Sequence, residues 1–238
     1  MFTTPLVIAT LVATTLGATI GFGITYLLTR PVIRRLRGEL ADAAWALTHD
    51  PLTGLHNRAG LRTIHTALAA SDEPQPIVIV LVDLDMFKEV NDTHGHDTGD
   101  NVLIEISDRL EQLAAICGGN AARLSGDEFA AVLPLRRHPV TDLAELFNTV
   151  IAEPVKVHVD SGVVTITVTA SLGVAIVSST DPLADTALHH ADTAMYHAKR
   201  EGGNRHVIYT PGMTMPERKR RRGPRLRDVR RDHGGSAR

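Results

Sequence analysis

Residues 77–85 read IVIVLVDLD. An unbroken apolar, mostly β-branched run over Ile77–Val82 is expected of a central strand buried on both faces. Asp83 and Asp85 stand at its end. A carboxylate there is costly to bury unless something neutralises it. A divalent cation does this well, and Mg²⁺ is usually held by one or two carboxylates together with substrate phosphates. A solvated strand end or a helix cap explains a lone Asp equally well.

A second acidic stretch shifts that balance. Residues 123–129 read RLSGDEF, between two short apolar runs, Ala121–Leu124 and Glu128–Leu133. This is a hairpin with Ser125-Gly126-Asp127 at its turn, where Gly126 permits positive φ and close approach of a ligand. A plain turn does not need two adjacent acids followed by Phe. With the hairpin beside the Asp83 strand, Asp83 and Asp127 can share one cation, which offsets phosphate charge and eases deprotonation of a hydroxyl nucleophile.

Between the two lies FKEVNDTHGHDTGDNVL (87–103). In the bland reading Asn91-Asp92-Thr93 is a turn and helix cap, and His96 is a loop histidine. In the functional one Asn91 and Asp100 hydrogen-bond a base edge while Lys88 supports an anion. His94 and His96 lack a third ligand at zinc spacing.

Working outward, helices are expected over 57–70, 99–116, 140–151 and 183–200. Val163–Val168 and Ser171–Val177 are expected to pair as a hairpin, with Arg205–Tyr209 as a last edge strand. Helices alternating with strands around embedded hairpins argue an α+β fold with helices packed on a largely antiparallel sheet.

The chain has 238 residues, 43% hydrophobic and 22% charged, which suits one medium domain with appendages. Its single cysteine, Cys117, cannot form an internal disulfide, so no oxidising compartment is implied. The net charge of −2 conceals an asymmetry. Residues 211–238 hold ten Lys/Arg against three acids, a net +7, leaving −9 on residues 1–210. Almost devoid of apolar residues, this tail is expected to be disordered. Anionic lipid, nucleic acid and plain solvent compete as its surroundings. It has no aromatic interleaving for stacking on bases, and no specific nucleic acid is expected.

Leu6 to Leu28 is 23 residues without a charge. As a helix it spans roughly 34 Å, enough for a hydrocarbon core of about 30 Å. No Lys or Arg precedes Arg30, whereas a signal peptide expects a basic start and a shorter apolar stretch. The reading is a single-pass membrane anchor over 1–30. Arg30, Arg34, Arg35 and Arg37 put the following end in the cytoplasm and the short N-terminus outside. Gly17 and Gly21 form a GxxxG pair that lets two helices approach. Val32, Leu36, Leu40, Ala43 and Leu47 recur at helical spacing, so 31–49 reads as a helical linker too short for a sensor domain.

Five stretches together resemble one family. DPLTGLHNR (50–58), VDLDMFKEVNDTHGHDTGDNVL (82–103), ARLSGDEFAAVL (122–133), TASLGVAI (169–176) and ADTAMYHAKREGGN (191–204) stand in the order and spacing of the GGDEF domain. The resemblance covers about 46–210 and places the domain at 50–210. It implies a palm-like nucleotidyl-cyclase fold with a mixed, mostly antiparallel sheet, preceded here by one transmembrane helix. It also implies a diguanylate cyclase that joins two GTP into cyclic di-GMP with release of two pyrophosphates, using Mg²⁺ or Mn²⁺. Each domain holds one GTP, so a homodimer is required.

Position by position, Asp83 and Asp127 resemble the metal-binding acids and the Leu84 carbonyl the backbone ligand. Asn91 and Asp100 resemble the guanine-reading pair, with His96 in the same segment. Asp127 also matches the proton acceptor for the 3′-hydroxyl, Glu128 the adjacent assisting acid, and Lys199 a phosphate-binding lysine. Ser125 and Gly126 form the turn over the nucleotide. Three departures stand out. Ser125 replaces a usual Gly, costing on the order of 1 kcal/mol if the backbone there needs positive φ. Gly203 replaces a frequent Arg, with Arg205 as a possible substitute. Ile116-Cys117-Gly118-Gly119 stands where many members carry the RxxD product site, so no feedback inhibition through it is expected. A non-catalytic GTP-binding signalling module, because of Ser125 and Gly203, and a cyclase acting on one nucleotide are the alternative readings.

Overall fold

A computed structural model describes residues 3–135, 139–159 and 162–215. The expected disorder of the basic tail therefore falls, from residue 216 onward, outside the described residues.

The apolar run at 77–82 lies in β1, Pro76–Leu84, which occupies the middle of the main sheet. It pairs antiparallel with β3, Glu128–Pro134, on one side and β6, Ala170–Ser178, on the other. Both neighbours explain the continuous apolar run, since Ile77 to Val82 meet packed side chains on either face. β2, Asn120–Ser125, extends the sheet beyond β3 as an antiparallel hairpin. β7, Arg205–Ile208, lies parallel to β6 at the opposite edge, giving the order β2-β3-β1-β6-β7.

One face carries Val78, Val80, Val82 and Leu84 under α3 (Phe87–His94), α4 (His96–Ile116) and α5 (Val140–Ala152). The other carries Ile77, Ile79 and Leu81 under α2 (Arg58–Ala69), a π-helical turn over Leu183–Leu188 and α6 (His189–Arg200). The fold is thus mixed α+β, a mostly antiparallel sheet flanked by helices. α2 begins where its cap dictates: the Asn57 side chain accepts from the Ala59 and Gly60 amides.

Two local expectations need correction. Val163–Val168 does not pair with Ser171–Val177. β5, Gly162–Ile166, pairs instead with β4, Val155–Val159, in a separate two-stranded sheet. Its partner was hidden in Val155-Lys156-Val157-His158-Val159, whose alternation buries only one face, whereas the apolar β6 belongs in the centre of the main sheet. Likewise Asn91-Asp92-Thr93 is not a turn, and His96 is not a loop residue. They belong to α3 and to the first position of α4, which are separated by Gly95 at φ 85.

Before the domain, α1 runs unbroken over Thr3–Thr48, through Pro31. Its stretch from Ile8 is long and apolar enough to cross a membrane, with mean hydropathy 1.6, a test that a signal sequence also passes.

Candidate active site

The C-terminal end of β1 collects the acids. Register places Asp83 opposite Glu128 of β3 and opposite Ser171 of β6, and places Glu128 opposite Ser125 of β2. Cross-strand partners share a face of the sheet, so Ser125, Glu128 and Asp83 form a row across three strand ends. Asp127 sits in the intervening turn, and its backbone carbonyl accepts from the Leu84 amide at 3.2 Å. That bond sews the hairpin turn to the end of β1 and brings the Asp83-Leu84 and Asp127 backbones together.

α6 supplies the countercharge. Lys199 Nζ lies 2.6 Å from Asp83 Oδ2, with the Asp83 side chain 14% exposed. Burial pushes the Asp83 carboxyl above the ordinary carboxylate range, Lys199 acts against that push, and the charges of Asp127 and Glu128 add to it. One ammonium thus faces a crowd of carboxylates. The donor set fits a divalent cation: Lys199 stands in for positive charge at the spot, and hard oxygen donors suit Mg²⁺ or Mn²⁺. Among the described residues no group of three or more His, Cys, Asp or Glu has metal-cage geometry. The fit therefore rests on two carboxylates and a backbone oxygen, as is usual where phosphates complete the shell.

The backbone at Ser125 does not need positive φ, so the conditional cost of a side chain there does not arise. Among the described non-glycine residues only Met86 and Asn204 have positive φ. Ser125 closes β2 at a β-bulge between Arg123 and Ser125, and the left-handed conformation falls on Gly126 at φ 50. A Cβ at Gly126 would meet open space, so this side of the turn is clear for a ligand. Ser125 brings a hydroxyl at no conformational cost, and its Oγ donates to Glu128 Oε2 at 2.9 Å.

Lys88, Asn91, His96 and Asp100 lie on the α3–α4 pair that leaves the end of β1. Close helix contact depends on Gly99, since a Cβ there would collide with Asn91 Oδ1. The Asn91 amide is therefore held over the first turns of α4, against the neighbour of Asp100. Lys88, His96 and Asp100 are exposed on the same two helices.

Gly203 adopts φ 74, and a Cβ there would stand 3.0 Å from the Asp85 carboxylate. Arg205 is engaged within its own loop. It begins β7, where it donates to Glu201 Oε2 at 3.1 Å and to the Gly203 carbonyl at 3.3 Å.

Two supports were not legible from the sequence. Asp85 is an anchor: Oδ1 accepts from Ser171 Oγ at 2.6 Å, and Oδ2 from Thr169 Oγ1 and the Asn204 amide at 2.8 Å each. It binds the end of β1 to β6 and to the loop after α6. The i, i+2 spacing of Asp83 and Asp85 was the only signal that the two point to one side of the chain. The second support is Arg123, whose guanidinium donates to Asp50 Oδ1 at 2.8 Å and to the Gly126 carbonyl at 2.9 Å. Burial raises the Asp50 carboxyl, but bonds from Arg123 and Thr53 outweigh it and leave it below the ordinary range. The segment after α1 is thereby tied to the acidic turn.

Known proteins match the chain over this same region. The family profile described as "Diguanylate cyclase, GGDEF domain" matches residues 47–205. The chain is 38% identical over 173 residues to the diguanylate cyclase DgcN of Escherichia coli, covering 70% of this chain and 40% of that protein. It is 34% identical over 179 residues to the response regulator PleD of Caulobacter vibrioides, covering 71% and 37%. The chain thus spans two fifths or less of these curated relatives. Among solved structures, the coiled coil and GGDEF domain of DgcB from Caulobacter crescentus, in complex with c-di-GMP, aligns with TM-score 0.67 at 27% identity. That alignment covers 82% of this chain and 99% of DgcB's. Diguanylate cyclase SiaD with its activator SiaC from Pseudomonas aeruginosa aligns with TM-score 0.61 at 28% identity, covering 84% and 76%. The chain therefore belongs to the GGDEF domain family.

Proposed function

We propose that this chain is a membrane-anchored diguanylate cyclase, which condenses two GTP into cyclic di-GMP at the meeting face of two copies. One observation carries the reading: Asp83, Asp127 and Glu128 converge at one sheet end, with Lys199 of α6 against Asp83. In this reading Asp83, Asp127 and the Leu84 carbonyl hold Mg²⁺ or Mn²⁺, which when bound offsets phosphate charge and activates the attacking hydroxyl. Asn91 and Asp100 read guanine, with His96 and Lys88 nearby. Lys199 exchanges Asp83 for a phosphate. Ser125 and Gly126 leave the approach over the turn open. Asp127 accepts the 3′-hydroxyl proton, assisted by Glu128, as the oxygen attacks the α-phosphate of the opposite GTP and pyrophosphate departs. Such in-line displacement depends on positioning and charge stabilisation, which is what a rigid sheet end offers.

Two copies must face each other, and α1 supports this. Residues 1–30 serve as the anchor with the N-terminus outside, 31–49 as the linker, 50–210 as the cytoplasmic domain and 211–238 as the basic tail. Val32, Leu36, Leu40 and Leu47 remain exposed on α1, as an unpaired helical seam would. The DgcB chain that includes a coiled coil covers 82% of this chain, against 68% for the DgcB domain alone. Tethering of this kind raises the effective concentration of partners.

A second reading, a GTP-binding module without turnover, draws on Gly203 and on the engagement of Arg205 with Glu201. The full chain, supplied with GTP and Mg²⁺ and assayed for cyclic di-GMP, separates the two. Product supports the cyclase. A sample shown to be dimeric and GTP-bound that yields none refutes it.

A further inference from the structure

The row across the strand ends contains a contact that a glycine at position 125 could not make. Glu128 has Asp83 as its register partner on the β1 side and Ser125 on the β2 side. Cross-strand Cβ atoms lie about 5 Å apart, so Asp83 and Glu128 are neighbouring like charges. Each is held by a protein group on its far side. Asp83 takes the Lys199 ammonium, and Glu128 takes the Ser125 hydroxyl.

We propose that Ser125 is a positioning residue whose hydroxyl draws the Glu128 carboxylate to the β2 side of the row, away from Asp83, and so weakens the hold of the acidic cluster on a divalent cation. This rests on the reading of that cluster as the cation site. Ser125 is well placed to act in this way. It is fixed in β2 with unstrained backbone, and its short side chain has a single carbon–carbon torsion. A hydroxyl donating to an ionised carboxylate makes a charge-assisted bond, stronger than a neutral one. The exposure of Ser125 limits that strength to a modest factor. A cation that recruits Glu128 beside Asp83 and Asp127 must first release this bond. Ser125 therefore lowers the cation affinity of the nucleotide-free site by a modest factor and leaves the turn undistorted.

The test is Mn²⁺ binding to the full chain without nucleotide, read from the paramagnetic resonance signal of free Mn²⁺. Asp83→Asn supplies the background. Ser125→Ala is expected to bind about three- to ten-fold more tightly than wild type, Ser125→Gly to follow it, and Ser125→Thr, which keeps the hydroxyl, to match wild type. Unchanged or weaker binding by Ser125→Ala overturns the proposal, as does a Ser125→Thr variant that behaves like Ser125→Ala. GTP turnover measured alongside separates the two readings. Tighter Mn²⁺ binding with no cyclic product from any variant sinks the cyclase reading and leaves the role of Ser125 standing. Absence of binding above background in both wild type and Ser125→Ala overturns the cation site and this inference together.

Discussion

Asp83→Asn should make the metal-free protein more stable while removing its response to metal and GTP. The wild-type carboxylate is mostly buried at the end of β1, with Asp127 and Glu128 adding like charge beside it. Asn keeps the volume and one oxygen but needs no countercharge. Relieving such a site contributes about 0.5–2 kcal/mol. Against this stands the lost pair with Lys199, whose side chain is 43% exposed. A pair with so exposed a partner contributes about 0.2–1 kcal/mol, and the ammonium left behind can hydrate. The balance favours Asn by up to about 1 kcal/mol, or about 2–4 °C per kcal/mol in melting temperature for a domain of this size. The pH dependence follows from the upward direction of the Asp83 shift. Stability that the raised carboxyl confers is fully present below its unfolded value, about 3.9, and is lost as pH rises through the folded value. The gap between variant and wild type should therefore be widest near neutral pH and close toward about pH 4. Adding Mg²⁺ and GTP should reverse the order, since a ligand at a hundredfold its Kd contributes about 2.7 kcal/mol to the state that binds it. Thermal melts followed by circular dichroism across pH, with and without ligand, report all three effects. A variant that melts below wild type at neutral pH, with a gap that persists in acid, would refute the ranking of desolvation over the Lys199 pair.

Two further outcomes concern the ties around the site. Arg123→Ala removes the guanidinium from Asp50 and from the Gly126 carbonyl. Both side chains of the ion pair are largely buried, at 11% and 22% exposed, so the loss should be about 2–3 kcal/mol by denaturant unfolding; an effect below about 0.5 kcal/mol would make the tie incidental. His56 is held below the ordinary histidine value by burial first and by the charge of His49 next, and burial lowers His65 as well. Stability owed to these neutral rings is fully present above about pH 6.5 and is lost as pH falls through the folded values. His56→Phe, which keeps a ring against His49 at the present centroid spacing of 4.4 Å, should flatten that acid slope by up to one proton. An unchanged slope in pH-dependent melts assigns the titration elsewhere.

Much of this protein was legible as sequence because its signals are local. The Ile77–Val82 run is apolar at every position and rich in β-branched residues, the pattern of a doubly covered strand. The Ser125-Gly126-Asp127 turn closes a hairpin of adjacent segments, and Asn57 marks the start of a helix by its own capping chemistry. Asp83, Asp127 and Glu128 were legible as a candidate cluster because two acidic stretches stand at the ends of strands, which the register sets side by side. Long-range pairing was another matter. β4 was passed over although Val155-Lys156-Val157-His158-Val159 alternates as a half-buried strand does, and without it β5 was given β6, the next segment along the chain, as its partner. Which strand a segment pairs with is settled by the whole sheet competing for the same edges, not by the segment. The same holds within the site. Sequence placed Ser125 beside Gly126 and raised a question of backbone strain. Only the folded backbone showed that Gly126 alone of the pair takes positive φ, and only the register of β2 on β3 brought the Ser125 hydroxyl onto Glu128. Residue type determined what chemistry the end of β1 can perform, and tertiary packing decided which neighbours restrain it, because hydrogen bonds and like-charge contacts act over a few ångströms in space regardless of separation along the chain.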